Sequence, residues 1–127
     1  MKLLDTCFLI ELNRELKTGT VGNAQTFIEA HPDEPFAISV ITVTEFLEGS
    51  AEPAFGEKLL RPFHWYDVGA NTSRLAAKIR CDLGTRGQLI GDFDILIAAT
   101  AKSADTPLVT NNVTHFGHLP DLIIESY

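Results

Sequence analysis

Long apolar runs are missing from this sequence: none approaches the roughly 20 residues that span a bilayer, so no membrane partner is expected. Cysteine is scarce too. Cys7 and Cys81 lie far apart, without metal-type spacing, and nothing at the N-terminus resembles a secretory leader, so a cytoplasmic protein with reduced thiols is expected. Positive charge is in deficit, with 10 Lys and Arg against 17 Asp and Glu, a formal net charge of −7. That balance argues against a broad basic surface gripping a polyanion and suits a divalent metal or a basic partner, although a local basic strip can coexist with an acidic whole. Repeats, low-complexity tracts and domain-separating linkers are also absent. With 45% hydrophobic residues, the 127-residue chain is expected to form one domain, residues 1–127, with a real core.

The pattern that is present alternates short apolar strands with helices. Lys2 to Leu4 reads as a strand, and Phe8 to Leu12 opens a helix that breaks near Thr18-Gly19-Thr20. A second helix runs to about Ala30, His31 to Pro35 forms a turn, and Phe36 to Ser39 reads as a buried strand. Ile41 to Leu47 is helical, with Gly49 placed to close it in the left-handed conformation. Helical or irregular sequence follows through Leu60, then a strand around His64 to Asp67. Asn71 to Leu83 is an amphipathic helix, with Leu75, Ala76, Ile79 and Leu83 at helical spacing, and Gly84 to Gly91 is a loop. Asp94 to Ala104 is a helix, Pro107 to Thr110 a strand, Val113 to Phe116 a helical turn, and Leu122 to Ile124 the last strand. Such alternation predicts an α/β fold, a three-layer α/β/α sandwich with a mostly parallel central sheet.

Parallel sheets gather chemistry just past the carboxyl ends of their strands. Asp5 closes the first strand, Glu45 lies beyond the second, and Asp94 opens the helix before the fourth, which ends in Thr110-Asn111-Asn112. Carboxylates brought together repel one another unless a cation sits among them, and Mg²⁺ or Mn²⁺ suits such oxygen ligands. Each acid also has a structural alternative. Asp5 could cap the following helix, and Asp94 could be a first-turn acid favoured by the helix dipole. Glu45, between Val43 and Phe46, is harder to explain without a partner.

Four segments carry a family resemblance. Asp5-Thr6 after the apolar strand, SVITVTEFLEG from Ser39, IGDFDILIAATA from Ile90 and LVTNNVTHF from Leu108 resemble, in order, the motifs of PIN-domain ribonucleases, especially VapC-type toxins. The resemblance implies a PIN-like fold and a Mg²⁺- or Mn²⁺-dependent endoribonuclease acting on RNA. It also implies a homodimer, neutralised by a small antitoxin. Asp5, Glu45 and Asp94 match the acidic triad, while Thr6 and Thr110 match hydroxyl residues that arrange it. Hydrolysis by such a site would leave a 5′-phosphate.

The sequence departs from that pattern where the last motif often supplies a fourth acid. Asn112 and His115 stand there, which bears on a second metal ion; Asn112 is kept as an orienting residue, whereas His115, beside Phe116, reads as a structural hydrogen-bonding group more readily than as a ligand. Cys7 stands where the family often has Asn, and its thiol is a poor ligand for a hard cation. Asp92 and Asp94 point about 200° apart on a helix, so they should not ligate the same ion; the resemblance implies Asp94 for the site, because Ile95 to Ala99 follows it as in the family, and leaves Asp92 as the helix N-cap. Glu48, one turn beyond Glu45, reads as a solvated acid or an extension of the negative pocket. Arg74, Lys78, Arg80 and Arg86 form either an RNA-guiding strip or a solvated helix face. Phe8, Leu9, Ile10 and Leu12, with Phe46, Leu47 and Phe55, offer more apolar surface than one face can hide, so some is expected to meet another chain. Two further readings stay open: a degenerate PIN-like module that binds without cleaving, and another phosphate-handling α/β domain, which lacks support because no Asp-x-Asp follows the first strand.

Overall fold

The computed structural model describes residues 1–127. Five strands, β1 (Lys2–Leu4), β2 (Phe36–Ser39), β3 (His64–Tyr66), β4 (Leu108–Val109) and β5 (Ile124–Glu125), pair in the order β3-β2-β1-β4-β5. Every pairing is parallel, with Leu3 opposite Ala37 and Leu108. Seven helices accompany them: α1 (Thr6–Thr18), α2 (Asn23–Glu29), α3 (Val40–Glu48), α4 (Pro53–Leu60), α5 (Ala70–Thr85), α6 (Asp92–Ser103) and α7 (Val113–Phe116).

Side chains alternate across each strand, so the sheet builds a core on both faces. Leu3, Ala37 and Leu108 pack with Ile79 and Leu83 of α5 and Ile95 and Ala98 of α6. Leu4, Ile38 and Val109 pack on the other side with Phe8, Leu9 and Leu12 of α1, Phe46 of α3 and Leu60 of α4. The result is the expected helix, sheet, helix layering, with a sheet that is parallel throughout. From central β1 the chain builds outward through β2 and β3, then crosses back to add β4 and β5 on the other side. The carboxyl ends of β1 and β4 therefore flank the point where strand order reverses, the preferred crevice of such sheets.

Several boundaries differ from those expected. Thr6 and Cys7 already belong to α1, which ends at Gly19 with φ of +71°. Gly49 does not close α3 in the left-handed conformation; its φ is −85° and its N–H donates to the Glu45 carbonyl, continuing the helical bonding. Helix α5 continues to Thr85, so the following loop is shorter, and Gly87 supplies the left-handed residue at φ +68°. Helix α6 starts at Asp92 with Gly91 at the N-cap, so Asp92 is not the cap. The apolar surplus is also smaller than expected: Phe8, Leu9, Leu12 and Phe46 are buried in the chain's own core, leaving Ile10 and Phe55 exposed.

One buried acid has a structural role. The N-terminus of α2 has only Gly22 as its cap, with no side chain to accept from the first-turn amides. Glu15 of α1 takes that place: its carboxylate accepts from the amides of Gly22 at 2.9 Å, Ala24 at 3.0 Å and Gln25 at 3.0 Å. A Cβ on Gly22 would stand 2.8 Å from the Glu15 carboxyl, so only glycine fits the approach. Burial raises the Glu15 pKa, but the three amide donors outweigh it and hold the group below its ordinary value. A lowered folded pKa contributes stability above the ordinary value of 4.5 that is lost as pH falls. Glu15→Gln removes the charge and turns a donor toward one amide, and should cost about 2 kcal/mol at pH 7. Urea unfolding should show this difference shrinking as pH falls from 4.5 through the lowered value of the folded state.

Candidate active site

Two carboxylates and two hydroxyl residues are tied together at the β1–β4 crevice. Asp5, 3% exposed, follows β1 and caps α1, its Oδ1 accepting from the Phe8 amide at 2.9 Å. Its other oxygen accepts from the Thr110 hydroxyl, just past β4. Thr110 Oγ1 in turn accepts from the Asn112 amide at 3.0 Å, which directs the hydroxyl proton toward Asp5. Thr6, the next residue, donates to Glu45 Oε1 at 2.7 Å, with Thr42 Oγ1 at 3.3 Å behind it. The capping and site readings of Asp5 are thus compatible: one oxygen serves the helix while the carboxylate as a whole faces the other acids.

The three acids share one field. Burial first, then the charges of Asp94 and Glu45, push the Asp5 pKa up to about 6, against the opposing hydrogen bonds from Thr110 and Phe8. Asp94, half-buried in the first turn of α6, is raised by burial and then by Glu45, while the His115 charge pulls it back. Cys7 is pushed up to about 11 by desolvation and then by Asp5, Asp94, Glu45 and Glu11, which keeps it a protonated thiol.

Two open depressions flank this centre. One, of about 420 Å³, is lined by Glu45, Gly91, Asp92, Phe93 and Asp94. The other, of about 500 Å³, is lined by Cys7, Ile10, Glu11, Arg14, Asn111, Asn112 and Tyr127. Asp92 therefore shares a depression with Asp94, although its carboxylate is paired to Arg80 at 3.1 Å. Glu48 is exposed and lines neither depression. Asn112 has its Nδ2 at 3.0 Å from His115 Nδ1, so the two residues that replace a fourth acid hold each other.

Asp5, Glu45 and Asp94 offer only oxygen donors, the set a hard divalent cation takes. No three His, Cys, Asp or Glu side chains stand at the spacing of a closed metal shell. The carboxylates share a field without forming a cage. That suits an ion that keeps much of its water and needs only one or two carboxylates. Asp94 accepts no hydrogen bond, and Glu45 uses only Oε1, so both retain acceptor capacity.

The basic residues Arg74, Lys78 and Arg80 of α5, with Arg86 at its C-cap, are not gathered into one strip. Arg80 points to Asp92. Arg86 binds Asp82 at 2.8 Å and the His118 carbonyl at 2.9 Å, and Arg74 binds Asn71. Lys78 and Arg86 line a separate cavity of about 290 Å³ with Lys102, Leu119 and Asp121. Sequence reasoning missed Thr42, Arg14 and Tyr127. Only helical periodicity along α1, which puts Arg14 seven residues after Cys7, could have signalled one of them.

Comparison with known proteins gives consistent matches. The PIN domain family model matches residues 2–120. The chain is 32% identical over 124 residues to Ribonuclease VapC19 of Mycobacterium tuberculosis, covering 96% of this chain and 97% of that protein. It is 30% identical over 129 residues to Ribonuclease VapC1 of Methanocaldococcus jannaschii, covering 98% and 85%. Among solved structures, VapBC2 from Rickettsia felis bound to a DNA fragment from its promoter superposes with a TM-score of 0.83 at 25% identity, covering 99% of this chain and 98% of that one. DNA-bound VapBC from Salmonella typhimurium gives 0.79 at 25% identity, with the same coverage.

Proposed function

The chain belongs to the PIN-domain family, and from that premise we propose that it is a VapC-type, metal-dependent endoribonuclease that hydrolyses RNA phosphodiester bonds and is neutralised by a small antitoxin. The observation that carries this reading is the common field of Asp5, Glu45 and Asp94 at the strand-order reversal, two of them fixed by threonine hydroxyls. Uncompensated carboxylates raise one another's pKa and cost stability, so their grouping calls for a cation.

Asp5, Glu45 and Asp94 would hold Mg²⁺ or Mn²⁺. When bound, the cation supplies Lewis acidity toward a phosphoryl oxygen and toward water. The chain's own residues do the positioning. Thr110 holds the Asp5 carboxylate in one orientation, and Thr6 does the same for Glu45. Asn112, fixed against His115, can direct an amide toward a water or phosphate oxygen. No lysine or histidine pair is required as acid and base, and the product carries a 5′-phosphate.

An antitoxin segment would cover the acid depression and offer an arginine to its carboxylates, a charge-assisted pairing. A homodimer in the cytoplasm completes the proposal. No helix is long and apolar enough to cross a membrane. Purified protein with Mn²⁺ should cut a single-stranded RNA and stop on addition of EDTA, with activity restored by excess Mn²⁺. Denaturing gel electrophoresis checks this, and cutting that persists in EDTA would overturn the metal dependence.

A further inference from the structure

We propose that Arg14 receives a phosphate of the RNA flanking the scissile bond, so that substrate lies along α1 in the depression beside Asp5 rather than across the basic residues of α5. This rests on the ribonuclease reading above. The acid centre repels a polyanion, and the protein as a whole carries −7, so a nearby unengaged cation is needed to draw RNA in. Arg80 is paired with Asp92 and Arg86 with Asp82, Arg74 bonds Asn71, and Lys78 lines the separate cavity with Asp82 and Arg86, so none of the four lies on the depressions flanking the acids. Arg14 is exposed, and its guanidinium makes neither an ion pair nor a hydrogen bond.

Its position is continuous with the acids. Cys7, Ile10, Glu11 and Arg14 follow one another at helical spacing on one face of α1, whose first residue is Thr6, the residue that holds Glu45. Along the axis, Arg14 stands about 13 Å from Asp5, within the span of a short oligonucleotide. All four line the 500 Å³ depression, opposite the amides of Asn111 and Asn112. The one acid on this face is Glu11, which lines the depression with Tyr127. Tyr127 itself is fixed, with its ring 4.6 Å from Phe8 and its amide donating to Asn111 Oδ1 at 2.9 Å. A forked cation between amides fits a phosphodiester, because guanidinium matches phosphate oxygens two at a time and amides read base edges. A basic protein segment would be repelled by Arg14.

The test is steady-state cleavage of a fluorescein-labelled single-stranded RNA with Mn²⁺, as a function of KCl, for wild type, Arg14→Ala and Arg14→Lys. Lys58→Ala, on the exposed face of α4, is the charge control. Arg14→Ala should raise KM about tenfold with kcat within about twofold, and should lower the salt slope of log KM by about 0.7, the value for one phosphate contact on a single strand. Arg14→Lys should restore the salt slope and only part of KM, and Lys58→Ala should change neither. Unchanged KM and salt slope in Arg14→Ala would overturn the inference and leave the depression to a protein partner. A fall in kcat at constant KM would also overturn it. If wild type fails to cleave, the ribonuclease reading itself fails, a result distinct from cleavage that is indifferent to Arg14.

Discussion

Asp94→Asn should lower RNA cleavage on the order of a thousandfold, roughly 4 kcal/mol of transition-state stabilisation, while leaving the fold intact. The argument is that Asp94 has no structural partner to lose. It accepts no hydrogen bond, sits half-buried in the first turn of α6, and is disfavoured as an anion by burial and by Glu45. The helix dipole gives an acid there about 0.3–1 kcal/mol, which relief of the repulsion offsets when the charge is removed. A carboxylate held at such a cost serves something absent from the polypeptide, and an amide of the same shape cannot replace a charge in binding a hard cation.

Asp92→Asn separates site geometry from general charge. Asp92 lines the same depression and carries the same charge, but it is exposed and already paired with Arg80. Its loss should reduce cleavage less than tenfold. Single-turnover rates at saturating Mn²⁺ compare the two variants directly. A larger loss in Asp92→Asn would show that the wrong acid of the pair has been assigned.

The difference between these neighbours shows what the sequence makes legible. Helical geometry separated Asp92 from Asp94, and the run Ile95 to Ala99, which follows Asp94 as in the family motif, selected Asp94; most of that run is buried in α6. Strand direction is legible too, since apolar runs alternating with helices favour parallel pairing, and the motifs then fall at strand ends; the order of the strands is not. Position in sequence does not say how polar groups are shared. Asp5 looked like either a cap or a site acid because each role was assigned a whole side chain, whereas its two oxygens divide the work. Nothing in the sequence singles out Glu15, because the groups that require it belong to the start of α2 and become its partners only when the two helices pack. The cations from Arg74 to Arg86 could be one strip or a solvated helix face, because nearness in sequence does not decide between them. Helical rotation and the acids within reach divide them, with Arg80 and Arg86 paired to acids, while Arg14 carries an unpaired charge on the depression beside the acid centre.

Asp5→Asn is expected to move stability and metal response in opposite directions. The Asp5 pKa is about 6 in the folded, metal-free protein, against an ordinary value of 3.8. A raised folded pKa means that the folded state holds the proton more tightly, so the associated stability is fully present below pH 3.8 and is lost as pH rises through 6. The shift of about two units corresponds to about 3 kcal/mol lost by the metal-free wild type at pH 8. Asparagine keeps an acceptor for the Phe8 amide and can still bond Thr110, whose hydroxyl can rotate. The variant should therefore melt about 10 °C above wild type at pH 8, with the gap closing by pH 4. Added Mg²⁺ should reverse the order of response: it should raise the melting temperature of wild type and leave Asp5→Asn little changed, because a ligand stabilises only the state that binds it. Cleavage by the variant should fall by a factor similar to that of Asp94→Asn. Thermal melts at pH 4 and pH 8, with and without Mg²⁺, check each arm. A metal-free variant no more stable than wild type at pH 8 would show that Asp5 is not the strained carboxylate on which the cation depends.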